Sequence, residues 1–322
     1  MAKRTSFLVS VLGVVLALCM IAATPIVRAE TFGDLDALRQ RALEAVNQSR
    51  SDNGLPPLTL GENLNEAAQA HAEDMARRRY YSHTSPDGGT VQDRYVAAGG
   101  SKWELIAENI ARCDNCPPPP TEANVERLER GWMNSPEHRE NILRHGLARF
   151  GYGIVVDADQ GLYAVQTFAG PGTPRGASEG EAAGEIPHER QVAVALDRIN
   201  AARREAKVAP LAASDALDTA ARALVPDPQA DALSIGGGGS LRDALPAGAR
   251  RDWRTLSTLA AACGGCGTAP TAADLRFFVG QWLDGGNSRR TLLDERFGAL
   301  GLALVTDGKG KKVALVVLGA SR

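Results

Sequence analysis

Apolar positions along the chain fall into short amphipathic runs separated by turn residues. Leu35, Leu38, Ala42 and Val46 recur at helical spacing and predict a first helix ending near Asn53-Gly54. Leu64, Ala68, His71 and Met75 predict a second. A short third covers 90–98, with Thr90 and Asp93 placed as a capping box. Four prolines, 117–120, enforce an extended stretch. Thr121 to Met133 reads as a fourth helix with Val125, Leu128 and Trp132 inward. Ser135-Pro136 opens a fifth, with Ser as N-cap and Pro at N1, and Gly146 stops it. Tyr152–Val156 and Leu162–Phe168 flank Asp157-Ala158-Asp159-Gln160-Gly161 as a β-hairpin. Leu300–Val305 and Val313–Leu318 repeat that ending. The pattern is α+β with a small antiparallel sheet in each half.

The start of the chain differs from the rest. Lys3 and Arg4 precede an uninterrupted run of apolar or small residues from Phe7 to Ala23, and Val27-Arg28-Ala29 offers small residues for a peptidase. Residues 1–29 read as a secretory signal peptide. The run is also long enough to remain as a membrane anchor, which is the weaker reading. Cys19 follows Leu18, not the small residue that a lipoprotein signal requires. Export would place the mature chain in an oxidising compartment: secreted, periplasmic or at the cell surface.

The remainder is one unit written twice. Trp103 and Trp132 recur as Trp253 and Trp282, and Cys113 and Cys116 as Cys263 and Cys266, each 150 positions later. Upstream the spacing is 153: Asn47 matches Asn200, Pro57 matches Pro210 and Leu64 matches Leu217. The second copy is therefore shorter somewhere between 71 and 90. The reading is residues 30–168 for the first copy, 169–187 for a flexible Gly-, Ala-, Pro- and Glu-rich linker, and 188–322 for a degenerate second copy. Each copy is long enough to bury a core, and the period is too long for a solenoid.

Charge narrows the function classes. Thirty-six basic side chains face 38 acidic ones, and removal of residues 1–29 takes Lys3, Arg4 and Arg28. No basic excess exists to hold a polyanion, so nucleic acid is not an expected partner.

Chemistry concentrates in the first copy. Four of the five His are there: His71, His83, His138 and His145, the fifth being His188. His83 lies in a turn-rich loop, and its counterpart falls among Leu233, Ser234, Ile235 and Gly236. Glu108 becomes Thr258, Glu137 becomes Asn287 and His138 becomes Ser288. The second copy thus acts as an internal control: scaffold positions survive and titratable ones are lost. His71, replaced by Leu224, reads as a core histidine, and His145, replaced by Glu295, as a solvated or capping one. For the Cys-x-x-Cys pairs a local disulfide fits export best. A thioredoxin-like site lacks its strand-then-helix context, and a shared four-thiolate zinc site would need the pairs face to face.

The stretches SHTSPDG, AENI and WMNSPEHRENIL followed by FGYG resemble the bacterial branch of the CAP superfamily (cysteine-rich secretory proteins, antigen 5 and pathogenesis-related 1). Asn47, Arg50, Leu55-Pro56-Pro57-Leu58 and Ala67–Met75 also fit. The resemblance covers roughly 35–170 and, through the duplication, extends more weakly over 190–322. It implies tandem α-β-α sandwiches and a cleft with two His and two acidic residues, which in some members holds a divalent metal. By motif, His83, Glu108 and His138 are the expected ligands of a metal such as zinc. The fourth member stands at Ser135 in this chain, so Glu137 is the substitute, with Glu129 and Glu140 as alternatives. Glu137 and Glu108 are the candidate catalytic groups.

Three functions follow as expectations. The first is an exported module binding a lipid, peptide or glycan fragment in that cleft. The second is a metal-dependent hydrolase or protease using the same residues. The third is a structural or adhesion protein in which the second copy supplies an interface.

Overall fold

A computed structural model describes residues 34–178, 181, 184–235 and 240–322. The proposed signal peptide lies outside them. Among the described residues no helix is long and apolar enough to cross a membrane.

The first copy runs α1 (Leu35–Asp52), β1 (Thr59–Leu60), α2 (Glu62–Arg78), α3 (Val91–Ala97), β2 (Leu105–Cys113), α4 (Glu122–Met133), α5 (Pro136–Ile142), β3 (Arg149–Asp157) and β4 (Gly161–Gly170). Its sheet has the order β1-β3-β4-β2, antiparallel except for the short parallel β1–β3 pair. The second copy repeats this as α6 (His188–Glu205), β5 (Ala212–Ala213), α7 (Asp215–Leu224), β6 (Trp253–Cys263), α8 (Ala272–Asp284), α9 (Gly286–Leu292), β7 (Ala299–Thr306) and β8 (Lys312–Ser321), in sheet order β5-β7-β8-β6. The fold is α+β, built of two tandem α-β-α units.

Each sheet buries both faces. In the first copy Val46, Val125, Trp132, Phe150 and Phe168 close one side beneath α1 and α4. Ala68, Ala72, Met75, Tyr163 and Val165 close the other beneath α2. Burial on both faces explains why β4 and β8 read as continuous apolar runs instead of alternating ones. Glycine sets how closely the α2 layer packs. A Cβ at Gly151 would lie 2.2 Å from the Leu64 carbonyl carbon, and one at Gly301 2.1 Å from the Leu217 carbonyl carbon. The F-G-Y-G motif is thus a sheet surface shaved to admit a helix backbone.

The capping boxes at Thr90/Asp93 and Thr121/Asn124 are present. Ser135 occupies the N-cap position of α5, but its side chain makes no capping bond, and α5 ends at Ile142, before Gly146. The strand β2 carries AENI and was invisible to the periodicity reading. Its buried side chains Glu108 and Asn109 are polar because partners on other elements satisfy them.

The segment read as a flexible linker is held against the second copy at both ends. Gly172 bridges Cys266, Gly267 N–H donates to the Pro171 carbonyl (2.8 Å), and Arg175 N–H donates to Asp274 Oδ1 (3.2 Å). Further along, Glu185 bridges Thr271, Ile186 N–H donates to the Pro270 carbonyl (2.8 Å), and the Ile186 side chain joins the second copy's core. Composition misled here because the contacts are made by backbone, which glycine exposes. The Cys263-Gly264-Gly265-Cys266 turn completes the junction. Gly265 N–H donates to the Trp103 carbonyl (2.8 Å), and the Lys311 ammonium sits 4.5 Å above the Trp103 ring. In the first copy the two intervening residues are Asp114 and Asn115, whose side chains would block such an approach.

Gly172 has φ +73°, and a Cβ there would lie 2.0 Å from the Gly265 carbonyl oxygen. Gly172→Val is therefore expected to destabilise the junction by about 2–3 kcal/mol. Small-angle scattering should show a larger radius of gyration than the parent, with each unit still folded by circular dichroism.

Candidate functional site

The site is assembled around Glu108 on β2. Its carboxylate is nearly fully buried, and each oxygen has a partner. Oε1 lies 2.9 Å from His83 Nδ1, and Oε2 accepts from Arg94 Nη2 at 2.8 Å. A carboxylate paired with a guanidinium only accepts, so His83 Nδ1 carries the proton and donates. In the neutral form of the ring that tautomer leaves Nε2 bare, and the side chain is 54% exposed. Glu108 therefore orients His83 and leaves its other nitrogen available to a ligand.

Arg94, on α3, fixes the His83 loop. It donates to the carbonyls of His83 (3.0 Å) and Gly89 (3.2 Å) and lies within reach of Ser85 Oγ (3.4 Å). The Ser85–Gly89 turn, closed by Gly88 N–H to the Ser85 carbonyl (2.8 Å), is what the SPDG sequence encodes. His71 is fully buried behind the loop. Its Nε2 donates to the Ser82 carbonyl (3.0 Å) and lies 3.9 Å from Glu108 Oε1. Burial, followed by the approach of Arg94 and His83, holds its pKa below the ordinary histidine value; Glu108 opposes this.

His138 enters from α5. Burial and then the neighbouring His83 push its pKa down, so it is neutral and able to ligate near pH 7. The cause is burial in place of the helix dipole that its N3 position suggests. The helix is pinned to β2 by paired asparagines. Asn141 Nδ2 donates to the Glu108 carbonyl (3.1 Å) and Asn109 Oδ1 (3.0 Å), while Asn109 Nδ2 donates to the His138 carbonyl (3.1 Å) and Gln166 Oε1 (3.0 Å). Gln166 Nε2 then donates to Glu129 Oε2 (2.7 Å), and Ser49 Oγ donates to Glu129 Oε1 (3.0 Å).

The acidic candidates separate. Glu129 is a core acid at the far end of this chain of bonds, and burial pushes its pKa up. Glu140 is exposed and pairs with Arg144 at 3.2 Å. Glu137 is exposed beside His138 and makes no hydrogen bond among the described residues. Both Glu108 oxygens hold a partner in this arrangement, which places it behind His83. Among the described residues no group of three or more His, Cys, Asp or Glu side chains converges as a metal cage. His145 is exposed.

Arg94, Asn109, Asn141 and Gln166 escaped the sequence reading. Their counterparts are Ala244, Leu259, Thr291 and Val316, and those of Glu129 and Ser49 are Val279 and Ala202. The comparison between copies that exposed His83 and His138 would have found them too, had it been applied to uncharged and scaffold positions.

The four cysteines of the two copies form two local disulfides, Cys113–Cys116 and Cys263–Cys266. Neither pair faces the other as a shared thiolate site.

The model of the cysteine-rich secretory protein family (CAP) matches residues 43–168 and 196–318, one range in each copy. The chain belongs to that family. Among its relatives, the uncharacterized protein YkwD of Bacillus subtilis (strain 168) is 32% identical over 136 residues, covering 42% of this chain and 48% of YkwD. The uncharacterized membrane protein YlbC of the same organism is 33% identical over 115 residues, covering 36% of this chain and 31% of YlbC. The chain thus spans about half or less of the length of these curated relatives. An extracellular protein containing an SCP domain from Bacillus anthracis str. Ames is 30% identical, covering 41% of this chain and 40% of that one, with a TM-score of 0.34.

A buried histidine that stays neutral in the CAP fold resists acid only until the unfolded chain takes up the proton. Below the ordinary value of 6.5 the unfolded state binds more protons than the folded one, so stability falls as pH falls. His71→Leu, which installs the second copy's residue, should flatten that fall. Urea denaturation of parent and variant at pH 7.5 and 5.0 reads it; parallel losses in both proteins would contradict the assignment.

Proposed function

We propose that this CAP protein is exported and binds a ligand in the first copy's cleft, with a divalent ion such as zinc held there by His83 and His138. The observation that carries the reading is the His83–Glu108 hydrogen bond, which in the neutral ring leaves His83 Nε2 bare, with the His138 imidazole nearby. Two neutral imidazoles are a borderline-soft donor pair suited to zinc. Glu108 and Arg94 would act behind His83, raising its basicity and fixing its ring. Remaining positions on the ion would be left to water or ligand.

When bound, such an ion would act as a Lewis acid toward a ligand oxygen. The chain's own contribution is positional. Asn109 and Asn141 hold the α5 backbone against β2, Arg94 holds the His83 loop, and Glu108 sets the tautomer. Glu137, exposed and unpaired, is the acid free to take a proton from a bound ligand, which is where a hydrolytic activity would reside. The ligand itself, a lipid, peptide or glycan fragment, is left open by this donor set. Export is supported by the pattern of residues 1–29 and by the two closed disulfides.

Calorimetric titration of the chain from Glu30 onward with Zn²⁺ tests the reading. The parent should bind one ion, the His83→Ala/His138→Ala double variant should not, and Glu108→Gln should bind about 10- to 100-fold more weakly. Equal binding by parent and double variant would remove the site.

A further inference from the structure

The outer edge of each sheet is treated differently in the two copies. In the first copy the outer edge of β2 is occupied by side chains: Asn141 Nδ2 donates to the Glu108 carbonyl (3.1 Å), and Tyr81 OH and Trp132 Nε1 both donate to the Ile110 carbonyl (3.0 Å each). These bonds show which residues turn their backbone outward. The matching residues of β6 are Thr258 and Ala260, with Leu256 and Ala262 in phase.

Among the described residues none of the three protecting bonds is made to β6. Asn141 is replaced by Thr291, and Leu233, Ser234 and Ile235, in the region corresponding to the Tyr81–His83 loop, are all exposed. Trp282 matches Trp132 and is only 4% exposed, yet its Nε1 has no partner. Among the described residues a single group bonds the outer edge of β6: Arg242 Nη1, which donates to the Trp253 carbonyl at one end (2.9 Å). From Thr255 to Ala262 the strand reads Thr-Leu-Ser-Thr-Leu-Ala-Ala-Ala, with no charge and no proline. Edge strands are usually blunted by those devices; β2, by contrast, carries Glu108 and Arg112.

We propose that the outer edge of β6 pairs with β6 of a second copy of this chain, joining two second-copy sheets into one continuous antiparallel sheet. The sequence is suited to self-pairing about Thr258. Thr258 then faces its own mate and Leu256 faces Ala260, short of the register shift between Trp253 and Thr255. All outward-turned residues fall opposite outward-turned residues, so their N–H and C=O groups exchange in pairs. No like charges are opposed, and a two-fold axis closes the assembly as a dimer. The loss of the cleft and the opening of this edge meet at Asn141, which holds the α5 backbone beside the cleft and covers the Glu108 carbonyl, and which is Thr291 in the second copy.

The chain from Glu30 onward should be dimeric by sedimentation velocity in the micromolar range. Thr258→Pro removes an outward N–H without touching the β6–β8 ladder, and should give a monomer with the parent's circular dichroism. Ala260→Lys, at an exposed position, should do the same by placing charge along the edge, and serves if the proline variant fails to fold. In hydrogen exchange, the Thr258 and Ala260 amides should be protected in the parent and exchange rapidly in Ala260→Lys. A parent that is monomeric throughout, or a folded Ala260→Lys variant that remains dimeric, would overturn the proposal.

Discussion

One buried guanidinium on the first helix of each copy sets the geometry on which the rest depends. Arg50 is fully enclosed and donates to the carbonyls of Pro56 (2.9 Å), Ile142 (2.8 Å) and Arg144 (3.2 Å). Arg203 does the same to Ala209, Leu292 and Asp294, and adds Phe297. Burial lowers the pKa of both. An enclosed cation costs least when its protons find acceptors; every guanidinium nitrogen but Arg50 Nη2 has one here, in the turn after α1 or α6 and around the end of α5 or α9. The bond therefore dictates where that helix stops, and so where its first turn lies against the sheet. In the first copy that turn carries His138. Asn47 and Asn200 extend the clamp, each exchanging two bonds with the backbone of Leu58 or Leu211.

The clamp survives in both copies, whereas the polar chain from Ser49 to Asn141 survives in one. The second copy fills its place with Ala202, Val279, Val316 and Leu259. A buried polar network is stabilising only when each member is satisfied, and loss of one partner leaves the others exposed to the full desolvation cost. Replacement by apolar residues throughout is the stable alternative. That is why the two copies differ at many linked positions instead of at the histidines alone. Asp274 and Lys312 show the opposite exchange. They form a fully buried ion pair in the second copy, where the first has Asn124 and Leu162.

The helices, the hairpins and the duplication were legible because each rests on local periodicity or on rare residues at a fixed spacing. His83, Glu108 and His138 were legible through motif and through their loss from the second copy. The strand β2 was not, because its buried polar residues are satisfied by partners 14 to 57 positions away, which no local pattern records. The partners of Glu108 were hidden for the same reason: Arg94, which occupies one of its oxygens, looks like any surface arginine of a short helix. The contacts at the two ends of the 169–187 segment were not legible, because hydrophobicity says nothing about backbone-to-backbone docking.

The inner edge of each sheet carries a final lesson. In the first copy the Ile154 peptide is sealed by Gln69 of α2, whose Oε1 accepts from Ile154 N–H (3.0 Å) and whose Nε2 donates to its carbonyl (3.3 Å). In the second copy the equivalent Leu304 peptide receives the same pair of bonds, at 2.9 and 3.3 Å, from Gln191 of α6. The amide has migrated from one helix to another while the peptide it serves has stayed in place. Position 69 has become Arg222, and Gln191 stands where the first copy has Leu38. What duplication preserved at this point is a vacancy in the backbone and the duty to fill it, with the choice of tenant left free. A residue-by-residue alignment of the halves would score both positions as divergence and miss that they are one function relocated.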